Sequence, residues 1–444
     1  MCQGVDAGLR VYRVGGCVRD GLLGLPAGER DWVVLGETPE KMLARGFKQV
    51  GAAFPVFIHP QTGEEYALAR TEAKSGKGYK GFRVDFSADI SLEEDLHRRD
   101  LTINAMATDE DGRIIDPFGG QKDLERRRLR AVSSAFGEDP LRVLRVARFA
   151  ARFAHLGFSV DPGTLTLMSD LVRSQELMEL SVERIWQESF KALATPSPAE
   201  YFRVLDRCGA LEAIFPELAA LKGKIHSPVY HPEGDAWAHT LLTLEHAVEL
   251  TSDVEIRFAA LTHDIGKGAT PMEELPHHYG HEKRGVILID ALCERMRVPR
   301  RMTHLARLVV AHHMRCHRVL EMRPGKVVAL LEVLNAFRNP AGVDPFLLAC
   351  AADTKTGIGY PAGDVLRSCL QACLAIDPRP LINAGYVGVK LGEALRQERI
   401  RRVKQVLVAV RPLGAKFKQL SGSVPSFAMV DGVAWQRSLR DEWS

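Results

Sequence analysis

Paired glycines, paired acids and clustered arginines in the first third of the chain suit the handling of a phosphate. In Val14-Gly15-Gly16-Cys17-Val18-Arg19-Asp20, two glycines separate a β-like run from a helix-like one. Adjacent glycines let backbone approach a phosphate closely, a helix N-terminus offers it free N–H groups, and Arg19 adds a forked donor. Next comes Glu29-Arg30-Asp31-Trp32. Carboxylates two apart on a strand share a face, and such a pair can hold Mg2+ for in-line phosphoryl transfer. Arg98-Arg99-Asp100 follows, where arginine could clamp a triphosphate or stack on a base. Taken singly, each also has a plain structural reading: a turn, an acidic strand edge, a solvated charged turn.

Glu138-Asp139-Pro140-Leu141-Arg142 opens a more telling segment. At helical spacing, Arg142, Arg145, Arg148 and Arg152 fall within about 120° of arc. Val143, Leu144, Ala147, Ala150 and Ala151 fill the opposite side. A solvated face would mix lysine with glutamate. Arginine alone suits planar, bidentate recognition of phosphates or base edges.

A second constellation is His263-Asp264-Ile265-Gly266-Lys267-Gly268, which follows the apolar helical run Ile256–Leu261. His239 lies upstream; His277, His278, His281, His312, His313 and Asp353 lie downstream. Neutral imidazoles and carboxylates bind a divalent transition metal and leave positions for water and phosphate. Such a metal lowers the pKa of its water and makes a nucleophile. A lone histidine is more often structural than a ligand. Here the His-Asp pair comes with several companions, and Lys267 could bind a phosphate.

These residues need scaffolds. Up to about residue 137, short β-like runs alternate with turns: Leu9–Val14, Asp31–Leu35, Pro55–His59, Tyr66–Arg70 and Arg113–Asp116. The basic, glycine-rich segment Lys74–Gly81 fits no Walker A spacing. From Glu138 onward the pattern is helical, with Pro140 at a first turn. Breaks are predicted at Thr195–Pro198 and Lys222–Pro228. The expected organisation is α+β: a mixed head over 1–137, a helical neck over 138–223, an all-α histidine-rich domain over 224–355 and a helical tail over 356–444.

The 444 residues suffice for several domains, and 46% hydrophobic content suits a sizeable core. A net charge of +3 means that any basic surface is local. The eight cysteines form no C-x-x-C pair, which argues against a disulfide framework or a zinc-thiolate site. Scattered thiols, no apolar run of roughly 18 residues and no signal-peptide layout point to the cytoplasm.

Read in order, Val14–Asp20, Arg30–Trp32, Ala69–Glu72, Arg98–Ala105, Asp116–Gly120 and Glu138–Arg142 resemble the head and neck of class II tRNA nucleotidyltransferases, a polymerase-β-like family. Glu183–Glu188 resembles that family's neck helix. The resemblance implies that Glu29 and Asp31 bind Mg2+ and are catalytic. It implies that Gly16, Arg19 and Arg99 hold the triphosphate. Asp139 and Arg142 would pair with the base edge of CTP or ATP in place of a template, and Arg145 and Arg148 would continue that pocket. The loop around Gly76–Gly81 would be the element that helps switch from C to A addition. Glu29 stands where this family usually has aspartate. The extra methylene moves the oxygens by roughly 1.5 Å, and misplacement on the order of 1 Å can cost about 100-fold in rate.

His263-Asp264 with His231–Asp235 and His239 upstream resembles HD-domain phosphohydrolases. The resemblance implies a first ligand set of His239, His263, Asp264 and Asp353, with His263 and Asp264 catalytic and a divalent transition metal such as Ni2+ bound. A class II head joined to an HD domain is similar to the bacterial multifunctional CCA proteins. That family implies addition and repair of the tRNA 3′-terminal CCA from CTP and ATP. It also implies 2′,3′-cyclic phosphodiesterase, 2′-nucleotidase and phosphatase activities on RNA ends, in a monomer or homodimer. The rival readings are a poly(A) polymerase, an enzyme adding only CC or only A, and an RNA-end phosphohydrolase with an impaired head.

Overall fold

The computed structural model describes the chain except for residues 1–4, 7, 27, 52–55, 75–81, 86, 227–233, 355–358 and 422–444. Of residues 72–74, 82–85 and 411–421 it describes the backbone alone. The expectations for Gly76–Gly81 and His231 therefore lie outside the described residues. The chain divides into two compact units, Met1–Phe215 and Pro216–Ser444.

Among the described residues, the first unit opens with nine strands: β1 (Arg10–Val14), β2 (Asp31–Leu35), β3 (Lys48–Val50), β4 (Val56–Ile58), β5 (Glu65–Leu68), β6 (Thr71–Lys74), β7 (Phe82–Asp85), β8 (Ala107–Thr108) and β9 (Ile114–Ile115). Seven form one mixed sheet in the order β3-β4-β5-β2-β1-β8-β9, and β6 pairs with β7 alone. All five expected strands are present. β3 went unread because its residues are all exposed and show no alternation. β8 is only two residues long and buried on both sides.

β2 holds the sheet's two cores apart. Val34 packs with Leu9, Val11, Phe57 and Leu68 on one side. Val33 and Leu35 pack with Val14, Leu96 and Ala107 on the other. Alternation along the strand dictates this division.

The sheet leads into the helix Leu141–Phe153, which packs against Val182–Leu193 and Pro198–Cys208. Its apolar side, Val143, Leu144, Ala147, Ala150 and Ala151, is buried as its spacing predicts. The expected break at Thr195–Pro198 separates the latter two helices.

The second unit is helical. Asp235 caps the helix Ala236–Leu250 by accepting from the Ala238 N–H. The helices Val254–Thr262, His281–Arg295, Arg300–His317 and Val343–Asp353 follow, with a 3-10 turn at Ile265–Ala269. Two glycines allow a close crossing here. A Cβ on Gly266 would stand 1.9 Å from the His281 carbonyl oxygen, and one on Gly285 would stand 2.6 Å from Val310 Cγ1. The described part of the tail is helical. Its longest element, Gly388–Ser421, packs on Pro324–Val333 and Pro361–Leu374. Among the described residues, no helix is long and apolar enough to cross a membrane.

Candidate functional site

The strand ladder assembles the head site. β1 runs antiparallel to β2, so the end of one meets the start of the other, and Val14 pairs with Asp31. The Gly15-Gly16 turn that follows Val14 therefore sits beside Asp31. Gly15 adopts φ +72°, and a Cβ on it would lie 2.9 Å from Arg99 Nη1. Glycine is required there both for the backbone angle and for the close approach. Gly16 then starts the helix Gly16–Leu22.

Arg19 on that helix is buried, and burial lowers its pKa against the pull of Asp20. Its Nε donates to Asp20 Oδ1 at 2.8 Å, and its Nη1 donates to Asn104 Oδ1. Phe149 and Phe153 lie under its guanidinium at 5.2 and 5.0 Å. Arg99 donates to Asp95 Oδ2 at 3.1 Å and to the Asn104 carbonyl at 3.4 Å. Asp95 is fully buried; burial opposes its charge, but Arg99 and Arg98 outweigh burial and hold its pKa down.

Asp31 begins β2, whereas Glu29 lies before the strand rather than on it. The shared-face expectation for the pair thus fails. β1 ends at Val14, the partner of Asp31, so no ladder remains to extend the strand back to Glu29. The two carboxylates still sense each other. Partial burial raises the Asp31 pKa, Arg99 pulls it down, and Glu29 pushes it up. Sequence reading missed Glu65, which the parallel β2–β5 register sets opposite Asp31. Opposed residues of neighbouring strands face the same side. The available signal was Glu65's place at the head of an alternating strand. Among the described residues, these three acids do not converge to ligand distance.

The arginine helix is not a uniform open face. Arg142 is only 6% exposed, and its guanidinium donates to the carbonyls of Ala135 and Arg98. Arg145 donates to Asp100 at 2.7 Å, Arg148 to Glu188 at 2.5 Å and Arg152 to Asp20 at 2.9 Å. Acids from three separate segments meet these arginines, which periodicity within one helix cannot reveal. Asp139 accepts from the Leu141 N–H at 3.0 Å and faces Arg184 at 3.4 Å.

In the second unit, His239, His263 and Asp353 come within ligand distance of one another, and Asp264 adjoins His263. Asp353 Oδ1 lies 2.8 Å from His239 Nε2 and 3.5 Å from His263 Nε2. Asp264 Oδ2 lies 3.1 Å from His263 Nε2 and 2.6 Å from Lys267 Nζ. Lys267 thus pairs with the aspartate of the His-Asp motif. His263 Nδ1 donates to the Ala260 carbonyl at 2.8 Å, which aims Nε2 inward. Burial disfavours a charged His263, but Asp264 and Asp353 outweigh burial and raise its pKa to about 10. Asp264 Oδ1 is buried without a hydrogen-bond partner. This donor set fits a divalent transition metal: imidazole nitrogens, carboxylate oxygens and an orphaned buried anion.

Of the downstream histidines, His281 and His313 join the cluster with Asp264. His278 bonds Thr270 and the Ile225 carbonyl, and His277 stacks on Tyr279. His312 belongs to neither metal-like group found among the described residues. Sequence reading gave His317 no role, yet its Nε2 lies 2.8 Å from Asp353 Oδ2 and its Nδ1 2.9 Å from Tyr360 Oη. Its spacing of four from His313 on one helix was the available signal.

Three family profiles match the chain: the Poly A polymerase head domain over residues 11–130, the probable RNA and SrmB-binding site of polymerase A over 157–222, and the HD domain over 236–339. The chain is 55% identical over 399 residues to a multifunctional CCA protein of Hahella chejuensis, covering 89% of this chain and 94% of that one. It is 54% identical over 403 residues to a multifunctional CCA protein of Thioalkalivibrio sulfidiphilus, covering 90% and 98%. Among solved structures, the CCA-adding enzyme of Bacillus stearothermophilus in complex with CTP matches at 25% identity with a TM-score of 0.59, covering 93% and 95%. That of Thermotoga maritima with tRNA shares the fold at 21% identity and a TM-score of 0.59, covering 91% and 92%. A polymerase-type head and an HD unit in one chain, matched along their length at this identity, place the protein in the family of multifunctional CCA proteins.

Proposed function

We propose that the chain adds and repairs the 3′-terminal CCA of tRNA, without a template, in the cytoplasm. The observation that carries this reading is the Val14–Asp31 pairing, which sets the Gly15-Gly16 turn and Arg99 beside an acidic residue at one end of two central strands. The tRNA 3′ hydroxyl attacks the α-phosphorus of CTP or ATP, and pyrophosphate leaves. Gly16 and Arg19 hold the triphosphate with Arg99. Asp31 and Glu29 hold Mg2+, and Glu65 faces the same position. The hard oxygen donors suit that ion, and a cation would offset the desolvation and, after it, the Glu29 repulsion that raise the Asp31 pKa. Held by Asp31 and Glu29, Mg2+ would supply Lewis-acid activation of the attacking hydroxyl and charge neutralisation for the leaving pyrophosphate.

Asp139 and Arg142 read the base edge, with Arg145 and Arg148 behind them. To reach a base, Arg142 exchanges a backbone carbonyl for the nucleotide. RNA is held through shape and phosphates by the basic helices.

The HD unit acts as a phosphohydrolase on RNA ends: a 2′,3′-cyclic phosphodiesterase, 2′-nucleotidase and phosphatase. His239, His263, Asp264 and Asp353 would hold a transition metal such as Ni2+, whose chemistry there would be Lewis-acid activation of water. The pairing is coherent, because a blocked 3′ end cannot attack a nucleotide. Radiolabelled CTP and ATP incorporation into tRNA lacking its CCA tests the head. Incorporation of C, C and A that vanishes in Asp31→Ala supports the reading; equal incorporation by both proteins overturns it.

A further inference from the structure

A net charge of +3 requires any basic surface to be local, and one such surface belongs to neither site above: Arg126-Arg127-Arg128 with Arg130. It lies where the first unit pairs two short parallel strands, β10 (Arg128–Leu129) and β11 (Ser159–Val160). Beside them is a cavity of about 450 Å3 lined by Asp123, Arg126, Arg128, Arg130, Asp161 and Pro162.

The backbone aims these arginines. Arg126 closes the helix Gly120–Glu125, and Arg128 and Arg130 are two apart along extended chain, which puts them on one face. Between them Arg127 adopts φ +56°, a left-handed conformation that residues with a Cβ seldom take. Its guanidinium lies over the Phe158 ring, 5.3 Å from the centroid. The left-handed turn thus lays Arg127 on an aromatic ring and leaves both its neighbours to line the cavity.

The acids of the cavity are already engaged. Asp123 is buried and accepts from Arg130 Nε at 2.8 Å and from Thr102 Oγ1 at 2.6 Å. Asp161 caps the helix Pro162–Arg173 by accepting from the Gly163 N–H at 2.9 Å. Arg128 donates only to a neutral acceptor, Ser159 Oγ, at 3.3 Å. Arg126 is exposed and, among the described residues, pairs with no acid. Two forked cations therefore keep most of their donors for a ligand, and planar guanidinium suits the oxygens of a phosphate.

The lining selects among phosphates. It has no aromatic ring, and Pro162 is its one apolar residue, so a base finds nothing to stack on. A lone ion pair at an exposed arginine is worth little in water, which leaves a small free anion weakly held. A phosphodiester chain that touches several such points at once gains from each of them.

We propose that this cavity is a docking point for the sugar-phosphate backbone of RNA, with Arg126 and Arg128 each holding a phosphate of the tRNA away from the nucleotide pocket and without regard to base. The proposal rests on the tRNA reading and adds a contact that neither the glycine turn nor the arginine helix supplies.

The test is the salt dependence of tRNA binding by the full-length chain, read by fluorescence anisotropy with labelled tRNA lacking its CCA. Each phosphate contact adds about one to the slope of log affinity against log salt. With Arg126→Gln and Arg128→Gln together, the slope is expected to fall by about two, and alike for tRNAs of different sequence. KM for tRNA should rise while KM for CTP stays. Arg173→Gln, an exposed arginine at the other end of the helix Pro162–Arg173, should leave the slope alone. Should the double variant melt early, each single substitution is read in the same way, at a fall of about one. An unchanged slope in a folded variant overturns the docking point and leaves the tRNA reading. Binding of inorganic pyrophosphate that the variant loses, with the tRNA slope unchanged, overturns it in favour of a free anion. No binding of tRNA by the unaltered chain overturns both readings.

Discussion

Arg145 and Asp100, 45 residues apart in sequence, meet with Nε 2.7 Å from Oδ2. The same carboxylate accepts from Asn104 Nδ2 at 2.9 Å, and Asn104 accepts in turn from Arg19. A line of hydrogen bonds therefore runs from the arginine helix to the guanidinium expected to grip the triphosphate. Burial opposes ionisation of Asp100, but Arg145 and Asn104 outweigh burial and hold its pKa far below the usual carboxylate range.

Asp100→Asn is expected to destabilise the first unit by about 2 kcal/mol at neutral pH. Breaking a buried pair costs more, but the Arg145 side chain is 37% exposed and water screens it. Because the folded pKa is depressed, the stabilisation is fully present above the unfolded value near 3.9 and is lost as pH falls below it. Urea melts of both proteins at pH 7 and pH 3 check this. A gap that stays constant or widens in acid contradicts the assignment.

Glu65→Gln is expected to lower CMP incorporation by at least about 100-fold, as for other misplacements at a reacting centre. Excess Mg2+ should recover part of it if Glu65 helps hold the ion. A rate near that of the unaltered protein would remove Glu65 from the site.

Arg142→Lys keeps the charge and loses the planar fork. Incorporation of CMP and AMP should fall by roughly 5- to 150-fold, the worth of one bidentate base contact, with weaker discrimination against UTP and GTP. Arg142 also ties the carbonyls of Ala135 and Arg98. Unaltered base discrimination together with a lower melting temperature would leave it a brace and nothing more.

His317→Ala is expected to weaken metal binding in the HD unit by about 10- to 100-fold, because His317 orients Asp353 from behind. CMP incorporation should not change. Calorimetric titration with Co2+ gives the affinity, and an unchanged value refutes the orienting role.

Chemistry-bearing residues were more legible than their surroundings. His239, His263, Asp264 and Asp353 were named through the resemblance to HD-domain phosphohydrolases, and the fold brings His239, His263 and Asp353 within ligand distance of one another. Of the strands from β1 to β5, all but β3 were readable as short β-like runs between turns. What stayed hidden is what pairs across the fold. Nothing near Arg145 announces Asp100, and nothing near Asp31 announces Glu65. The choice of His313 over its neighbour His312 depends on which side of a buried helix meets Asp264. Glu29 was misplaced because strand length is fixed by the partner, not by the segment itself.

The antiparallel pairing of Val14 with Asp31 also works as a ruler. Side chains alternate along a strand, so a slip of one residue would turn the acid to the opposite side of the sheet while the glycine turn stayed in place. Val33 and Val34 would then trade their separate apolar neighbourhoods, a change the packing on both sides resists. The hydrophobic interior thus fixes the aim of a carboxylate that it never touches.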